Sequence, residues 1–404
     1  MIDHPIILFT AILILTYGAF SKLSEKSIIT APMVFVTVGL LTSFFSFDLL
    51  NEGVKATPVK LLAEITLMLL LFVDATNLNL PRLIKERKLP IRLLGIGLPI
   101  TMIAGALIAM PLFPEEERWV LILMALIVAP TDAALGLAVV TSDRVPEKIR
   151  QTINVESGLN DGIALPPILI CIAVLSNKPG EAVNTMYWMG FVLKQFIYGP
   201  LIGGIVGWLG GKLVELSSRR GWMNHTFQQL ASISLAILSY SLAEMVHGNG
   251  FMAAYFAGML LGTQTEAIRE RIRHFGEAES QAMVLFIFLL FGMILVPISY
   301  PWWNWRALVY ALLSLTVIRI IPVVISLYGT ELTKPTKWFI GWFGPRGIAS
   351  VLYLLMVVIQ LGKEGYERMI SVITLTVLLS IFLHGITAVP FSKLFFKEGE
   401  SLNK

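Results

Sequence analysis

The eight residues 155–162 read VESGLNDG and place two carboxylates, Glu156 and Asp161, in a stretch that otherwise has the composition of a membrane-spanning helix. An ionisable side chain at the centre of a bilayer costs at least ~2.5 kcal/mol, and it usually faces a bundle interior or a water cavity on the path of an ion or proton. A third carboxylate, Asp132, lies on the preceding apolar segment. Ion transport is therefore the first hypothesis that the sequence supports.

The composition of the whole chain is that of a polytopic membrane protein. Hydrophobic residues make up 56% of the 404 residues and charged residues only 14%, against about 25% charged residues in soluble domains. The single cysteine, Cys171, excludes an intramolecular disulfide and a cysteine-based zinc site. Nucleic-acid binding is not expected, because no basic face interleaved with aromatic residues occurs on a soluble module. The first apolar stretch lacks a basic leader and a cleavage site, which predicts a retained helix rather than a signal peptide.

Thirteen apolar segments approach the roughly 20 residues that a membrane-spanning helix needs. They predict an all-α polytopic membrane protein of about 13 transmembrane helices, arranged as a single membrane domain over residues 1–400. The segments are 5–20, 28–46, 58–78, 90–113, 118–141, 150–176, 186–214, 225–247, 250–263, 279–299, 303–329, 336–360 and 367–392.

The charges of the loops predict the orientation of the chain. The loops that follow odd-numbered segments, together with the carboxy-terminal tail, carry most of the basic residues. Because basic residues concentrate on the cytoplasmic side of a membrane, we expect the amino terminus outside and the carboxy terminus inside. An odd number of spans agrees with this orientation.

Two of the segments are interrupted. The fifth contains APTD at residues 129–132, and the twelfth contains GPRG at residues 344–347. When segments one to six are aligned with segments eight to thirteen, these two interruptions coincide and the seventh segment becomes a linker. Interrupted helices at matching places in two inverted halves point to the binding site of a secondary transporter. The sequence therefore predicts an inverted repeat with two broken helices that cross near the midplane.

Depth along the helices brings the polar residues to one level. At 1.5 Å per residue, Asp161 lies about 16 Å into the sixth segment. The interruptions lie about 18–21 Å into the fifth segment and about 12–15 Å into the twelfth. All three positions therefore fall near the middle of a hydrocarbon core that is ~30 Å thick.

The helical periodicity of the sixth segment separates its polar side chains. Ser157 and Asp161 are four residues apart and share one face, whereas Glu156 and Asn160 share a neighbouring face. We therefore expect Asp161 to bind the ion and Glu156 to be a structural carboxylate. Glu156 stays among the ion- or proton-binding candidates, because the sequence does not separate direct binding from a purely structural role.

The remaining polar candidates lie at the interruptions and on the eleventh segment. Thr131 and Asp132 suit the N-cap of the second half of the fifth segment, and Arg346 can compensate the negative end of the first half of the twelfth. The Thr131 hydroxyl, the carboxylate oxygens and the carbonyls exposed at the two interruptions form a set of oxygen ligands that suits a small alkali cation. Arg319 lies in the middle of an apolar segment and needs a buried anion, for which Glu156 is the predicted partner.

Each assignment has a simpler alternative. Glu156 or Asp161 could be an interfacial residue that extends to the membrane surface. Asp132 could be a helix cap only, and Arg319 could belong to an ion pair that is purely structural. A cation channel would also place carboxylates at mid-depth, although no repeated carbonyl filter is present in the sequence. No His-Glu-x-x-His, Gly-x-Ser-x-Gly or P-loop motif occurs, so neither an enzyme nor nucleotide-driven pumping is expected.

Four motifs together resemble the cation:proton antiporter superfamily, most closely its NhaP-like branch of sodium/proton exchangers. They are PTD at 130–132, ESGLNDG at 156–162, Arg319, and FGPRG at 343–347. The resemblance covers nearly the whole chain and includes GFMAAYFAG at 250–258. One departure is Ala133, where the family often has proline.

The resemblance implies an architecture. It implies a homodimer in the lipid of the plasma membrane of a prokaryote. Each protomer would have a mobile core, approximately residues 90–176 and 303–392, and a dimerisation part, approximately residues 1–80 and 186–299. The core would move by an elevator-like motion.

The resemblance also implies an activity and the roles of residues. It implies exchange of Na⁺ or Li⁺ for H⁺ without a cofactor, with K⁺/H⁺ exchange as the alternative. Asp161 would be the main carrier of Na⁺ and H⁺, with ligands from Asp132, Thr131 and Ser157. Glu156 would be held by Arg319. Asn160 favours an electroneutral exchange of one cation for one proton.

Overall fold

The computed structural model describes residues 4–25, 28–43, 56–76, 78, 80, 84–85, 87–132, 135–142, 144–176, 185–261 and 266–396. All regular secondary structure in these residues is helical. The α-helices are α1 His4–Glu25, α2 Ala31–Ser43, α3 Ala56–Thr76, α4 Lys88–Arg92, α5 Leu98–Leu112, α6 Arg118–Ile127, α7 Leu137–Val140, α8 Glu147–Ser176, α9 Thr185–Arg219, α10 His225–Met245, α11 Gly250–Leu261, α12 Glu266–Leu290, α13 Val296–Ser299, α14 Trp305–Leu315, α15 Val317–Ser326, α16 Lys334–Trp342, α17 Ile348–Leu361 and α18 Glu367–Phe395.

The all-α class predicted from the sequence is confirmed, and the protein is an integral membrane protein. Six stretches in the described part of the chain are helical, long and apolar enough to cross a membrane: 88–112, 147–176, 188–219, 278–302, 305–326 and 367–395. Shorter apolar helices lie between them. The described helices overlap each of the thirteen predicted segments, while the number that cross the membrane stays a prediction.

Both predicted interruptions are present. The first half of the fifth segment, α6, ends at Ile127, and the first half of the twelfth, α16, ends at Trp342. Each interruption contains a proline, Pro130 or Pro345, which has no N–H for a helical hydrogen bond. Among the described residues, the next helices are α7, from Leu137, and α17, from Ile348.

Other irregularities were not predicted. The eleventh segment is divided at Thr316, between α14 and α15, where φ is −115° and ψ is −91°. One π-helical turn, Leu93–Gly97, joins α4 to α5, and another, Phe291–Leu295, joins α12 to α13. Arg319 therefore lies on the first turn of a separate helix rather than in the middle of a continuous one.

The helix that carries the predicted site is embedded among others. α8 contacts α6, α17 and α11, and its buried residues include Glu156, Ser157, Asn160 and Asp161. The helices α9, α3 and α10 pack against α11, and α9 and α3 also contact α8. The assignment of these two groups to a mobile core and a dimerisation part stays a proposal.

Candidate ion site at two crossed helix breaks

The two interruptions lie against each other and are joined by hydrogen bonds in both directions. The backbone N–H of Asp132 donates to the Pro345 carbonyl (2.7 Å), and the backbone N–H of Ile348 donates to Asp132 Oδ2 (2.7 Å). In return, Arg346 Nη1 donates to the carbonyls of Pro130 (3.0 Å) and Ala129. Each break thus supplies the charged side chain that the other break needs.

This reciprocity adds a role for Asp132 and corrects the prediction for Arg346. Asp132 caps the N-terminus of α17, where it balances the positive end of that helix; that it also caps its own segment stays a prediction. Arg346 was expected to compensate the end of α16, but it binds the carbonyls that follow α6.

A cluster of side-chain oxygens lies where α8 meets the first break. Thr131 Oγ1 lies 3.0 Å from Ser157 Oγ and accepts a hydrogen bond of 2.6 Å from Asn160 Nδ2. Asn160, expected on a neighbouring face, therefore converges on the same threonine as Ser157. The four side chains of this oxygen cluster, which includes Asp161, are at most 3% exposed to solvent.

Two oxygens of the oxygen cluster remain without a hydrogen-bond partner among the described residues: Asn160 Oδ1 and Asp161 Oδ1. The main chain of Asp161 is held, because its carbonyl accepts a hydrogen bond of 2.7 Å from the Tyr353 hydroxyl on α17. Asp132 lies near enough for its charge to repel that of Asp161. Unpaired anionic and amide oxygens at this depth are suited to bind a small cation or a proton.

Glu156 and Arg319 form the predicted ion pair, which lies beside the oxygen cluster. Arg319 Nη1 is 2.6 Å from Glu156 Oε1, and both side chains are 1% exposed. The contact is an ion pair by distance rather than an aligned hydrogen bond. Gly344 lies against the guanidinium group and against Thr131, where a side chain would collide with both. The second break is therefore shaped around the ion pair.

The buried charges of the described part of the chain nearly balance. They are three carboxylates and two guanidinium groups: Asp132, Glu156, Asp161, Arg319 and Arg346. With every carboxylate ionised, the formal charge of this group is −1. One monovalent cation or one proton would make it neutral.

His384 and Ser380 of α18 are site neighbours that the sequence analysis did not identify. His384 Nε2 lies 2.9 Å from the Trp342 carbonyl and therefore donates to the end of α16. Its Nδ1 lies 3.1 Å from Ser380 Oγ, which accepts a hydrogen bond of 2.6 Å from the backbone N–H of Arg346. The pair thus joins the two edges of the second break. The four-residue spacing of two polar residues in an apolar helix is the signal that could have revealed it.

Carboxylates, hydroxyls and guanidinium groups gathered where two broken helices meet are the arrangement that ion transporters use. The sequence of this protein matches the family described as "Sodium/hydrogen exchanger, transmembrane" over residues 8–394, and the chain belongs to this family. This family is one of transporters rather than enzymes.

The names of the curated relatives specify two different cations, K⁺ and Na⁺. The chain is 26% identical over 302 residues to "K(+)/H(+) antiporter NhaP2" of Shewanella sp. (strain ANA-3), with 74% of this chain and 51% of that protein covered. It is 25% identical to "K(+)/H(+) antiporter NhaP" of Alkalimonas amylolytica, covering 73% and 52%. It is 24% identical to "Na(+)/H(+) antiporter" of Schizosaccharomyces pombe, covering 69% and 65%. The chain spans about half the length of the first two relatives.

A solved structure has the same fold. The sodium proton antiporter MjNhaP1 from Methanocaldococcus jannaschii, determined at pH 8, superposes with a TM-score of 0.73 at 20% identity. The superposition covers 96% of this chain and 97% of that one. An electron-microscopy structure of the same antiporter gives a TM-score of 0.75 over the full length of both chains.

Proposed function

We propose that this protein is a secondary active antiporter that exchanges a monovalent cation, Na⁺ or Li⁺, for H⁺. The observation that carries the proposal is the buried group of three carboxylates and two guanidinium groups, whose formal charge of −1 lies beside the hydroxyls of Thr131 and Ser157. Such a group binds one cation or one proton, and it is neutral with either.

Competition at Asp161 is sufficient for exchange. Its Oδ1 has no partner among the described residues, so a cation and a proton contend for the same oxygen. Because a charged site is costly to move through a low-dielectric interior, the site changes sides when it is loaded and neutral. Because the group has a single negative charge, the stoichiometry is one cation for one proton, and the exchange is electroneutral. Low pH weakens cation binding, with apparent pKa values that belong to the coupled carboxylates together.

The other residues of the site have separate roles in this proposal. Thr131, Ser157 and Asp132 contribute oxygen ligands. Asn160 orients Thr131 through a hydrogen bond. The Oδ1 atom of Asn160 is buried without a hydrogen-bond partner among the described residues, which supports it as a further ligand. Glu156, Arg319 and Arg346 keep the charge of the group constant.

The proposed arrangement in the membrane follows the predictions from the sequence. We place about 13 spans in an inverted repeat, with the amino terminus outside the plasma membrane of a prokaryote and the carboxy terminus inside. The protein acts as a homodimer whose mobile core, residues 90–176 and 303–392, moves against residues 1–80 and 186–299. The packing of α11 against α9 and α3 supports this division.

K⁺/H⁺ exchange is the second candidate, because two of the named relatives are K⁺/H⁺ antiporters. An oxygen cage selects among alkali cations by small differences in size, which residue identity does not encode. A cation channel is the candidate from a different class, and it would conduct without counter-transport of protons.

The test is ΔpH dequenching in everted vesicles after addition of NaCl, LiCl or KCl between pH 6 and pH 9. A parallel series for Na⁺ and Li⁺ clamps the membrane potential with valinomycin and K⁺. Dequenching by Na⁺ or Li⁺ that the clamp leaves unchanged is the expected result. Dequenching by K⁺ alone supports the second candidate, and cation flux without proton counter-flow supports a channel.

Asp161→Asn should abolish exchange while the protein still reaches the membrane, because the carboxylate that both ions need is gone. Glu215→Gln is the matched control, since it removes a carboxylate whose partner, Arg219, has a side chain that is 71% exposed. Activity of Asp161→Asn equal to that of the wild type would refute the mechanism.

A further inference from the structure

Asn249 is the residue before α11, and its fully buried side chain makes two hydrogen bonds. Its Oδ1 accepts from the backbone N–H of Met252 (2.9 Å), which is the contact of a helix N-cap. Its Nδ2 donates to the carbonyl of Gly162 on α8 (2.9 Å). One side chain therefore starts α11 and ties it to the residue that follows Asp161.

The Gly162 carbonyl is free to accept this bond because of a proline. In an α-helix the carbonyl of residue i accepts from the N–H of residue i+4. Residue i+4 here is Pro166, which has no N–H. A buried carbonyl without a donor is costly, so Asn249 stabilises the conformation in which it supplies the missing donor.

α11 is held firmly on its other sides. Gly203 of α9 lies against the carbonyl of Ala253, and Gly258 of α11 lies against the carbonyl of Phe72 on α3. A side chain at either glycine would collide with backbone. Such close backbone contact fixes α11 to α9 and α3, because a shift of either helix meets main chain rather than adaptable side chains.

The contact between α11 and α8 is of a different kind. Gly158 of α8 lies under the ring of Tyr255, and Gly162 lies under the side chain of Met252. Here two glycines of α8 meet side chains, which can change rotamer, rather than main chain, which cannot. This contact can therefore rearrange more readily than those of α11 with α9 and α3, and the Asn249 hydrogen bond adds a directional contact to it.

We propose that the hydrogen bond from Asn249 to Gly162 is a latch that holds α8, and with it Asp161, in one of the two conformations that exchange requires. Asn249 is then a positioning residue that sets the rate of the conformational step without contacting the cation. This inference rests on the proposed function, because a coupled exchanger must present its site alternately to the two sides of the membrane.

The decisive variant is Asn249→Ser. Serine is as good an N-cap as asparagine, so it keeps the acceptor for Met252, but it is too short to reach Gly162. Asn249→Ala removes both contacts. The matched control is Asn224→Ser at the N-cap of α10, where the side chain accepts from the backbone N–H of Phe227 (3.0 Å).

The assay measures initial rates of cation-dependent dequenching over a range of cation concentrations. Asn249→Ser should raise the maximal rate about twofold to tenfold, the factor that corresponds to the loss of one neutral hydrogen bond. The half-saturating cation concentration should stay within about twofold of the wild type. A rate that stays at the wild-type value, or a change in half-saturation alone, would overturn the latch.

Amide hydrogen exchange of the purified protein gives a second readout that needs no transport. Peptides that cover residues 155–165 of α8 should exchange faster in Asn249→Ser than in Asn224→Ser by a similar factor, because release of the latch lets α8 move and admits water to it more often. Equal exchange in the two variants would overturn the latch. A wild-type protein that is silent with every cation would refute the proposed function instead, and hydrogen exchange would still decide the latch.

Discussion

The ion pair between Glu156 and Arg319 should be essential for stability, and Glu156→Gln tests this directly. At 2.6 Å, two unit charges attract by about 6 kcal/mol at an effective dielectric constant of 20, and the cost of desolvating both groups offsets much of that attraction. Removal of one partner is different, because it leaves the other charge buried and uncompensated. For Arg319, which is 1% exposed, we expect a loss of ~3–5 kcal/mol.

The measurement is the midpoint of thermal unfolding in detergent. The expected fall for Glu156→Gln is roughly 5 °C. The matched control is Glu215→Gln, because Glu215 pairs with Arg219 at the same distance of 2.6 Å while the arginine side chain is 71% exposed. That pair should contribute about 0–1 kcal/mol, so its loss should change the midpoint little.

Two outcomes would refute this reasoning. The first is a midpoint for Glu156→Gln that equals that of the control, which would mean that burial adds nothing to the pair. The second comes from the double variant Glu156→Gln with Arg319→Gln, which removes both charges. It should be more stable than Glu156→Gln alone, and a still lower midpoint would show that the orphaned charge is not the cause.

Three further predictions concern the surroundings of the site and the loop between α5 and α6. Gly347→Ala should reduce exchange severely, because the new methyl group would collide with the carboxylate of Asp132 that caps α17; vesicle dequenching measures this. His384→Ala should lower the unfolding midpoint, because it removes the donor to the Trp342 carbonyl (2.9 Å). A hydrogen bond from Arg306 holds the pKa of Glu115 below its ordinary value, so Glu115 contributes stability at neutral pH. The midpoints of wild type and Glu115→Gln should therefore converge as the pH falls through that lowered pKa.

Each of these predictions has its own control. Gly190→Ala places a methyl group that meets no atom within 4 Å beyond its chain neighbours and the backbone of its own helix, so activity lost equally there would contradict the steric argument at Gly347. His384→Gln retains a side-chain N–H, and it should recover part of the stability that alanine loses. For Glu115, a difference in midpoint that does not change with pH would show that its ionised form is not responsible.

Much of the site could be read from the sequence because membrane burial makes polar residues costly. Pro130 and Pro345 predicted the breaks, since neither has an N–H to continue a helix. Arg319 predicted an anionic partner, because an unpaired charge in an apolar segment is costly. Glu156 was the carboxylate chosen as that partner. These inferences depend on local chemistry and on depth, which a linear sequence encodes.

What could not be read was the pairing between distant helices. Asp132 and Ile348 are 216 residues apart, and nothing local shows that the carboxylate caps the helix after the other break. The interruption at Thr316 has no proline or glycine to announce it. The spacing of Ser380 and His384 marked a polar pair but not its role, because the carbonyl and N–H groups that the pair binds become available only once the twelfth segment has broken.

The crossed breaks have a consequence for biosynthesis. The carbonyls after α6 find their donor in Arg346, and these residues are 216 to 217 positions apart. At a translation rate of about 5–20 residues per second, roughly 10–40 s separate the synthesis of the two. During that interval the nascent fifth segment must wait in the bilayer or at its edge with unsatisfied polar groups. Until the second half of the chain has emerged, these carbonyls must therefore find donors outside the finished protein, in water or in the insertion machinery.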